Sequence, residues 1–344
     1  MAFRVPLPYK CGERYYPGNC EEKLRSEAAT YIWINENCPD DLVSQAGSCH
    51  EDRLSGPRYT LIDWIENEDE QVLSNVYRQP HTEEQTQNLY RGMAKIIVSL
   101  ARVPQPRIGS WTINNDGRLS LSNRPLLCQL QELENIIIPS GLARHTTYTS
   151  ADTFCLDLLD GHDNRLRYQK SAVFSERDGR RQAVDLVLMR STLSRFTDRS
   201  VRDGPFLMHL TDMHISNMFV EGLESPRWLT GQKVDDLTGI DQKPHLYKGT
   251  TYSLAATMDR AFDEHHYWYL VALQCPKGLF NLWREQLQPL YDEESKDSLC
   301  EAVSPFWAPG MRSFMNMKLK DFADYIQQVR HISNSPESGK IYMR

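Results

Sequence analysis

The chain lacks the cysteine patterns that hold zinc or form redox centres. Its eight cysteines are spread along 344 residues, and no two of them form a CxxC pair or a short cysteine-histidine cluster. A structural zinc site and a dithiol redox motif are therefore not supported by the sequence. We expect the thiols to be free and mostly buried, as in proteins of a reducing compartment.

Long apolar runs and an excess of basic residues are also lacking. The segment MAFRVPLPYK has no apolar core of a signal peptide, and no stretch reaches the roughly 18 uncharged residues that span a bilayer. Lys and Arg number 39 against 46 Asp and Glu, a formal net charge of -7. Because a phosphate-backbone binder needs positive charge, we expect a cytoplasmic protein with neither a membrane nor nucleic acid as partner.

The composition that is present is that of an ordinary folded protein. Hydrophobic residues make up 40% of the chain and charged residues 25%, with no low-complexity segment and no internal repeat. These values exclude disordered and fibrous classes. A chain of this length can bury the core of one large domain or of two lobes.

The first part of the chain predicts a small region that contains strands. Apolar runs over residues 2–7 and 59–65 predict two strands. Between them, helical spacing over residues 21–35 predicts a helix, with Asn19 as its cap. An acidic stretch follows the second strand, so we expect a hinge near residues 61–66.

The rest of the chain predicts mainly helices. Thr82 and Gln85 form a capping box for a helix over residues 82–102, and Asn115-Asp116-Gly117 predicts a hairpin within residues 107–121. Further amphipathic stretches cover residues 150–168, 180–196, 253–274, 279–291 and 317–332. The predicted class is α+β, with a reduced N-terminal lobe (1–66) and a helical C-terminal lobe (67–344).

One polar segment lies between two apolar runs. In LTDMHISNMFV, which is residues 210–220, Asp212 and Asn217 have the Asp-x-x-x-x-Asn spacing of a kinase catalytic loop. We expect short strands over residues 206–210 and 218–220 to bracket this loop. The alternative is an ordinary turn in which Asp212 and Asn217 bond to nearby backbone groups.

The amino-acid sequence of this segment resembles that of a known family. LTDMHISNMFV is similar to the LTDLHxSNIFV segment of the aminoglycoside phosphotransferase-like proteins of filamentous fungi, which are relatives of choline kinases and protein kinases. The segments RVPLPYKCGERYYPGNCEEKLRSEAATYIWINENCPD, LARVPQPRIGSWTINNDGRLSLSNRPL and TYTSADTFCLDLLDGHDNRLRYQ also resemble that family. The resemblance extends from about residue 2 to about residue 290.

The resemblance implies a protein-kinase-like two-lobe fold, with ATP and Mg as cofactors and a small molecule as acceptor. Asp212 matches the catalytic base, Asn217 a metal ligand, and His214 a residue that supports the loop. Arg4 matches the basic residue that positions the ATP phosphates, and Glu27 matches its partner on the following helix. Without the resemblance, Arg4 is simply the end of a strand, and Glu27 is a helix residue four positions from Lys23.

Three parts of the family pattern are missing or altered. No glycine-rich hairpin precedes the Arg4 strand, and a polar stretch, residues 40–58, stands where the family has an apolar strand. After Asn217 the chain runs through FVEGLESPRWLTG without the apolar-Asp-apolar strand that chelates Mg, so Asp235 and Asp236 are the nearest replacements. Because one lost stabilising group costs about 100-fold to 1000-fold in rate, we expect a degenerate or truncated member with weak or no activity.

The sequence also allows two other functions. The first is an active, ATP- and Mg-dependent kinase of a small hydroxylated substrate, with Asp212 as base. The second is a metal-dependent hydrolase in which His209, Asp212 and His214 hold the metal. Its further ligand would be His265 or His266.

Overall fold

The computed structural model describes residues 2–38, 59–62, 70–211, 213–221, 245–247, 249–291 and 297–333. Over these ranges the chain is mixed α+β, with long helices and short strands, and this confirms the predicted class. No helix in these ranges combines the length and the apolar character needed to cross a bilayer.

The strands are β1 (Ala2–Arg4), β2 (Thr60–Ile62), β3 (Glu70–Val72), β4 (Ser110–Ile113), β5 (Leu119–Asn123), β6 (Phe219–Glu221), β7 (His245–Tyr247) and β8 (Thr250–Tyr252). The helices are α1 (Pro8–Cys11), α2 (Asn19–Asn37), α3 (Leu73–Val76), α4 (Glu83–Ala101), α5 (Cys128–Asn135), α6 (Ala151–Tyr168), α7 (Glu176–Phe196), α8 (Leu254–Asp263), α9 (His266–Gln274), α10 (Leu279–Leu282), α11 (Asp297–Trp307) and α12 (Met311–Ser333).

The strands form two-stranded antiparallel sheets, β1 with β2, β3 with β6, β4 with β5 and β7 with β8. The strand predicted at residues 2–7 is confirmed over Ala2–Arg4 and the one predicted at 59–65 over Thr60–Ile62, with Arg4 opposite Thr60. Residues 63–66, and with them most of the predicted hinge, lie outside the described residues. The predicted hairpin is confirmed as β4 and β5. Its turn contains Gly117 with a φ of 78°, a left-handed conformation that glycine adopts without steric cost.

Local sequence signals predicted the start of α4 correctly and the start of α2 wrongly. The Thr82 hydroxyl accepts from Gln85 N and the Gln85 side chain accepts from Thr82 N, so the capping box is confirmed. Asn19 does not cap α2, because Gly18 occupies that position. The Asn19 amide is buried and donates to Glu134 Oε2 at 2.7 Å.

Several helix limits differ from the prediction. The helix predicted over residues 253–274 is broken at His265, which has a φ of 63°, into α8 and α9. The stretch 279–291 starts as α10. It continues as a short π-helix, Trp283–Leu287, and a 3-10 turn, Gln288–Leu290. The helix predicted from residue 180 begins at Glu176, and the one predicted from residue 317 begins at Met311.

The strand predicted over residues 206–210 is wrong. Phe206 forms a single bridge with Gln105, and residues 207–210 have no regular structure. The strand predicted after the loop is confirmed as β6, which pairs with β3.

The largest core lies among the helices of the second part of the chain. Its members come mainly from α6, α7, α9, α10 and α12. Phe196 stacks on Tyr269 with ring centroids 4.9 Å apart, and the buried Tyr269 hydroxyl donates to Met189 O at 2.7 Å. A second cluster joins α2 to α4 and to the hairpin, where Trp33 stacks on Trp111 at 6.0 Å.

Candidate functional site

The segment that carries the predicted chemistry is described on both sides of Asp212. Asp212 itself lies outside the described residues, as do Asp235 and Asp236. His214 and Asn217, the other two predicted members of the loop, are described and exposed.

Asn217 is the last residue of a 3-10 turn, Ile215–Asn217, and His214 lies immediately before that turn. His214 is its N-cap: its Nδ1 accepts from Ser216 N at 3.3 Å and lies 2.9 Å from Ser216 Oγ. Asn217 N donates to His214 O at 2.8 Å. Because Nδ1 is the accepting atom, the proton of a neutral His214 is on Nε2. His214 thus supports the turn that carries Asn217.

Apolar contacts anchor this turn on both sides of Asn217. Ile215 and Met218 pack against the buried cluster formed by Leu73, Val76 and Leu89 of α3 and α4. Leu73 N donates to Met218 O at 2.8 Å, immediately before β6 pairs with β3. The two flanking side chains are held in the protein, and Asn217 between them is kept at the surface.

The segment before Asp212 packs against two hydrophobic clusters. Met208 and Leu210 contact the cluster that contains Trp33 and Ile34 of α2. Leu207 packs against a different cluster, formed by α4 and α8. The segment that leads to Asp212 therefore packs against a cluster that side chains of α2 and α4 form together, far from it in the sequence.

Arg4 and Glu27 form an ion pair between β1 and α2. Arg4 Nη2 lies 3.5 Å from Glu27 Oε1, with exposed side-chain fractions of 44% and 23%. Lys23 Nζ lies 3.7 Å from the same oxygen. Both contacts expected for Glu27 are thus present, and this carboxylate is shared by two cations at the surface.

The described residues fit ATP and Mg only in part. Arg4 offers a half-exposed guanidinium that is able to contact phosphate, and Asn217 offers an exposed carboxamide. Mg in proteins is bound through carboxylates, and among the described ranges no three His, Cys, Asp or Glu side chains are grouped closely enough to hold a metal.

The histidines considered for a hydrolase make local contacts at the junction of α8 and α9. His266 Nε2 lies 3.3 Å from Glu264, and His265 Nδ1 lies 3.2 Å from Asp263 O. The pKa of His209 is lowered because the surrounding protein excludes water from its ring, although part of the side chain is exposed. These contacts favour a structural role for His265 and His266.

A buried charged cluster surrounds Arg124, and the sequence did not predict it. This guanidinium bonds to Glu22 of α2 at 2.8 Å and to Glu134 of α5 at 2.7 Å. Asn19 and Ser140 complete the cluster through bonds to Glu134. An arginine after a strand, in the segment NRPL, is the only local signal, and it does not reveal partners that lie far away in the sequence.

Comparison with known proteins assigns no family. The chain matches no protein-family model, and neither a curated protein nor a solved structure is significantly similar to it. Inference about function therefore rests on the segments that resemble the aminoglycoside phosphotransferase-like proteins and on the geometry around those segments.

Proposed function

We propose that the chain has a protein-kinase-like two-lobe fold and is related to the aminoglycoside phosphotransferase-like proteins, with weak or no phosphotransferase activity. The proposed boundary between the lobes, near residue 66, lies outside the described residues. The observation that carries the proposal is the ion pair between Arg4 on β1 and Glu27 on α2, at 3.5 Å.

This ion pair is of the kind that positions nucleotide phosphates in kinases. In protein kinases a strand lysine binds phosphates while a helix glutamate holds it in place. Here an arginine replaces the lysine, and its planar guanidinium is able to bind two phosphate oxygens at once. Since 44% of the Arg4 side chain is exposed, a nucleotide phosphate can reach it without displacing Glu27.

The loop contributes the groups on the acceptor side. Asp212 would orient the acceptor hydroxyl and take its proton, and Asn217 would hold the metal. His214 keeps Asn217 in position through the 3-10 turn described above. ATP with Mg, when bound, supplies the phosphoryl group and neutralises the charge of the phosphates.

We expect weak activity because the set of metal ligands is incomplete. Kinases of this fold hold Mg with a second aspartate on a strand after the loop, and the segment FVEGLESPRWLTG has no apolar-Asp-apolar sequence. Loss of a single preorganised stabilising group lowers the rate by about 100-fold to 1000-fold. We expect nucleotide binding to survive in weakened form and transfer to be nearly abolished.

Saturation-transfer NMR with ATP tests the proposal. We expect transfer from the protein to ATP in the wild type and a clear loss in Arg4→Met. The matched control is Lys277→Met, which removes an exposed basic residue that pairs with Glu132 at 3.8 Å. No transfer to ATP from the wild type, or equal loss in both variants, would contradict a kinase-like site. Zinc-stimulated hydrolysis that needs His209 would instead favour the hydrolase.

A further inference from the structure

The corner where α8 meets α9 carries an exposed cluster of aromatic rings. The ring centroids of Phe262 and Tyr267 are 5.9 Å apart, those of Phe262 and Trp268 are 6.2 Å apart, and those of Tyr267 and Trp268 are 5.2 Å apart. Phe262 is 55% exposed and Tyr267 is 47% exposed. Leu270, one turn further along α9, is also exposed, so the rings continue into an aliphatic surface.

This patch, defined by Phe262, Tyr267, Trp268 and Leu270, is held firmly by the core beneath it. Trp268 is half-buried against the main hydrophobic cluster, and its neighbour Tyr269 is fully buried. Trp268 is therefore held in place before a partner binds, and little affinity is lost to the ordering of this side chain. Large exposed aromatic groups on a rigid base are the usual anchors of protein interfaces.

Acidic side chains surround one end of the patch. Asp259, Asp263 and Glu264 are all exposed and lie within three positions of Phe262. The guanidinium of the neighbouring Arg260 forms an ion pair with Asp198, at 2.7 Å. Within the described ranges, His266 lies 3.3 Å from one of the three acids, Glu264. The rim of the patch is therefore negative, in agreement with the net charge of -7 of the whole chain.

We propose that this patch binds a basic, apolar segment of a partner protein. Lys or Arg side chains of that segment would contact Asp259, Asp263 and Glu264, and would also stack on the aromatic faces. Its apolar side chains would cover Phe262, Tyr267 and Leu270. A small molecule fits less well, because small-molecule sites are concave and enclose most of the ligand, whereas two of these rings are about half exposed.

The proposal is independent of phosphoryl transfer and is tested on the full chain by fluorescence anisotropy. The probe is a short fluorescein-labelled helical peptide with Lys on one face and Leu and Trp on the other. A second peptide, in which Glu replaces each Lys, keeps the apolar face and reverses the charge. We expect the Lys peptide to bind, to weaken as salt is added, and to bind more tightly than the Glu peptide.

Substitutions in the patch test whether the peptide binds there. The double substitution Phe262→Ser with Tyr267→Ser should weaken binding about tenfold or more, as for interface anchors. Asp259→Asn with Asp263→Asn should weaken it and reduce its salt dependence. The controls are Phe306→Ser, which changes a ring that is 81% exposed on α11, and Asp116→Asn with Glu36→Gln, which removes two exposed charges elsewhere.

Some results would overturn the proposal. They are equal binding of the two peptides, equal losses in patch and control variants, or a patch that binds a second copy of the chain instead. Sedimentation reveals the last of these as self-association that Phe262→Ser with Tyr267→Ser abolishes. All the substituted side chains are at least partly exposed, and circular dichroism before and after heating verifies that each variant is folded.

Discussion

Arg124 Nη1 lies 2.7 Å from Glu134 Oε1, and the two side chains are only 4% and 3% exposed. The other side of the guanidinium bonds to Glu22 Oε2 at 2.8 Å. These contacts join α2 and α5 to the segment after β5. A charged group in the N-terminal helix is thereby connected to the helical part of the chain inside the protein.

Replacing Arg124 should destabilise the protein strongly. Arg124→Met leaves Glu134 buried without its cation and leaves Glu22 with Arg144 alone, at 3.5 Å, and breaking a buried pair in this way costs about 3–5 kcal/mol. Urea denaturation measures the change in the free energy of unfolding. The control Lys277→Met breaks a pair whose side chains are 88% and 48% exposed, and it should cost less than about 1 kcal/mol. Similar values for the two variants would contradict this assignment.

The stability should fall with acid because of His162. Its ring is fully enclosed, and burial lowers the pKa of His162 to about 4. Nε2 donates to Leu273 O at 2.8 Å, which fits a neutral ring. The unfolded chain takes up this proton near pH 6.5, so stability is complete above that pH and is lost as the pH falls from about 6.5 to about 4. The loss amounts to about 3 kcal/mol.

Urea denaturation at a series of pH values tests the role of His162. His162→Gln removes the titrating group, so its stability curve should be flatter over this interval than that of the wild type. Parallel curves for the two proteins would show that other groups cause the acid sensitivity.

Gly179 permits close contact between α7 and α12. A Cβ atom at this position would lie 2.5 Å from Met315 Sδ and 2.8 Å from Val173 Cγ1. Alanine favours a helix over glycine by about 1 kcal/mol, but overpacking costs about 1–3 kcal/mol. We therefore expect Gly179→Ala to lower the melting temperature. With Met315→Ala as a second change, the loss should be smaller than the sum of the two single losses. An increased melting temperature for Gly179→Ala would contradict the close contact.

The junction of α8 and α9 should tolerate glycine and reject branched residues. His265 has a φ of 63°, a left-handed conformation that costs a side chain about 1 kcal/mol and costs glycine little. His265→Gly should match or exceed the wild-type melting temperature, and His265→Val should lower it. The comparison fails if valine is tolerated as well as glycine, because the backbone would then not be left-handed in solution.

The sequence predicted elements whose signals are local. Thr82 and Gln85 were sufficient to place the start of α4, and Asn115-Asp116-Gly117 was sufficient to place the hairpin, since each signal satisfies its own backbone groups. Asn19 was misassigned because Glu134, more than a hundred residues away, competes for its side chain. The break at His265 was missed because a histidine carries no signal for a left-handed backbone.

The candidate site was predictable to a similar degree. His214 and Asn217 are close in sequence, so their presence in one turn follows from the motif, and the Arg4 contact with Glu27 followed from the family resemblance. The packing of Met208 and Leu210 against the cluster that contains Trp33 was not predictable. It depends on the path of the chain between residues more than a hundred positions apart.

Calorimetric titration of ATP with and without Mg tests the central claim most directly. A kinase-like site with an incomplete metal shell predicts weak binding that changes little when Mg is added or when Asp212 is replaced by alanine. Arg4→Met should reduce the remaining affinity. Micromolar affinity that requires Mg and is abolished by Asp212→Ala would contradict the account, because it would show that the metal site is complete and the protein is an active kinase.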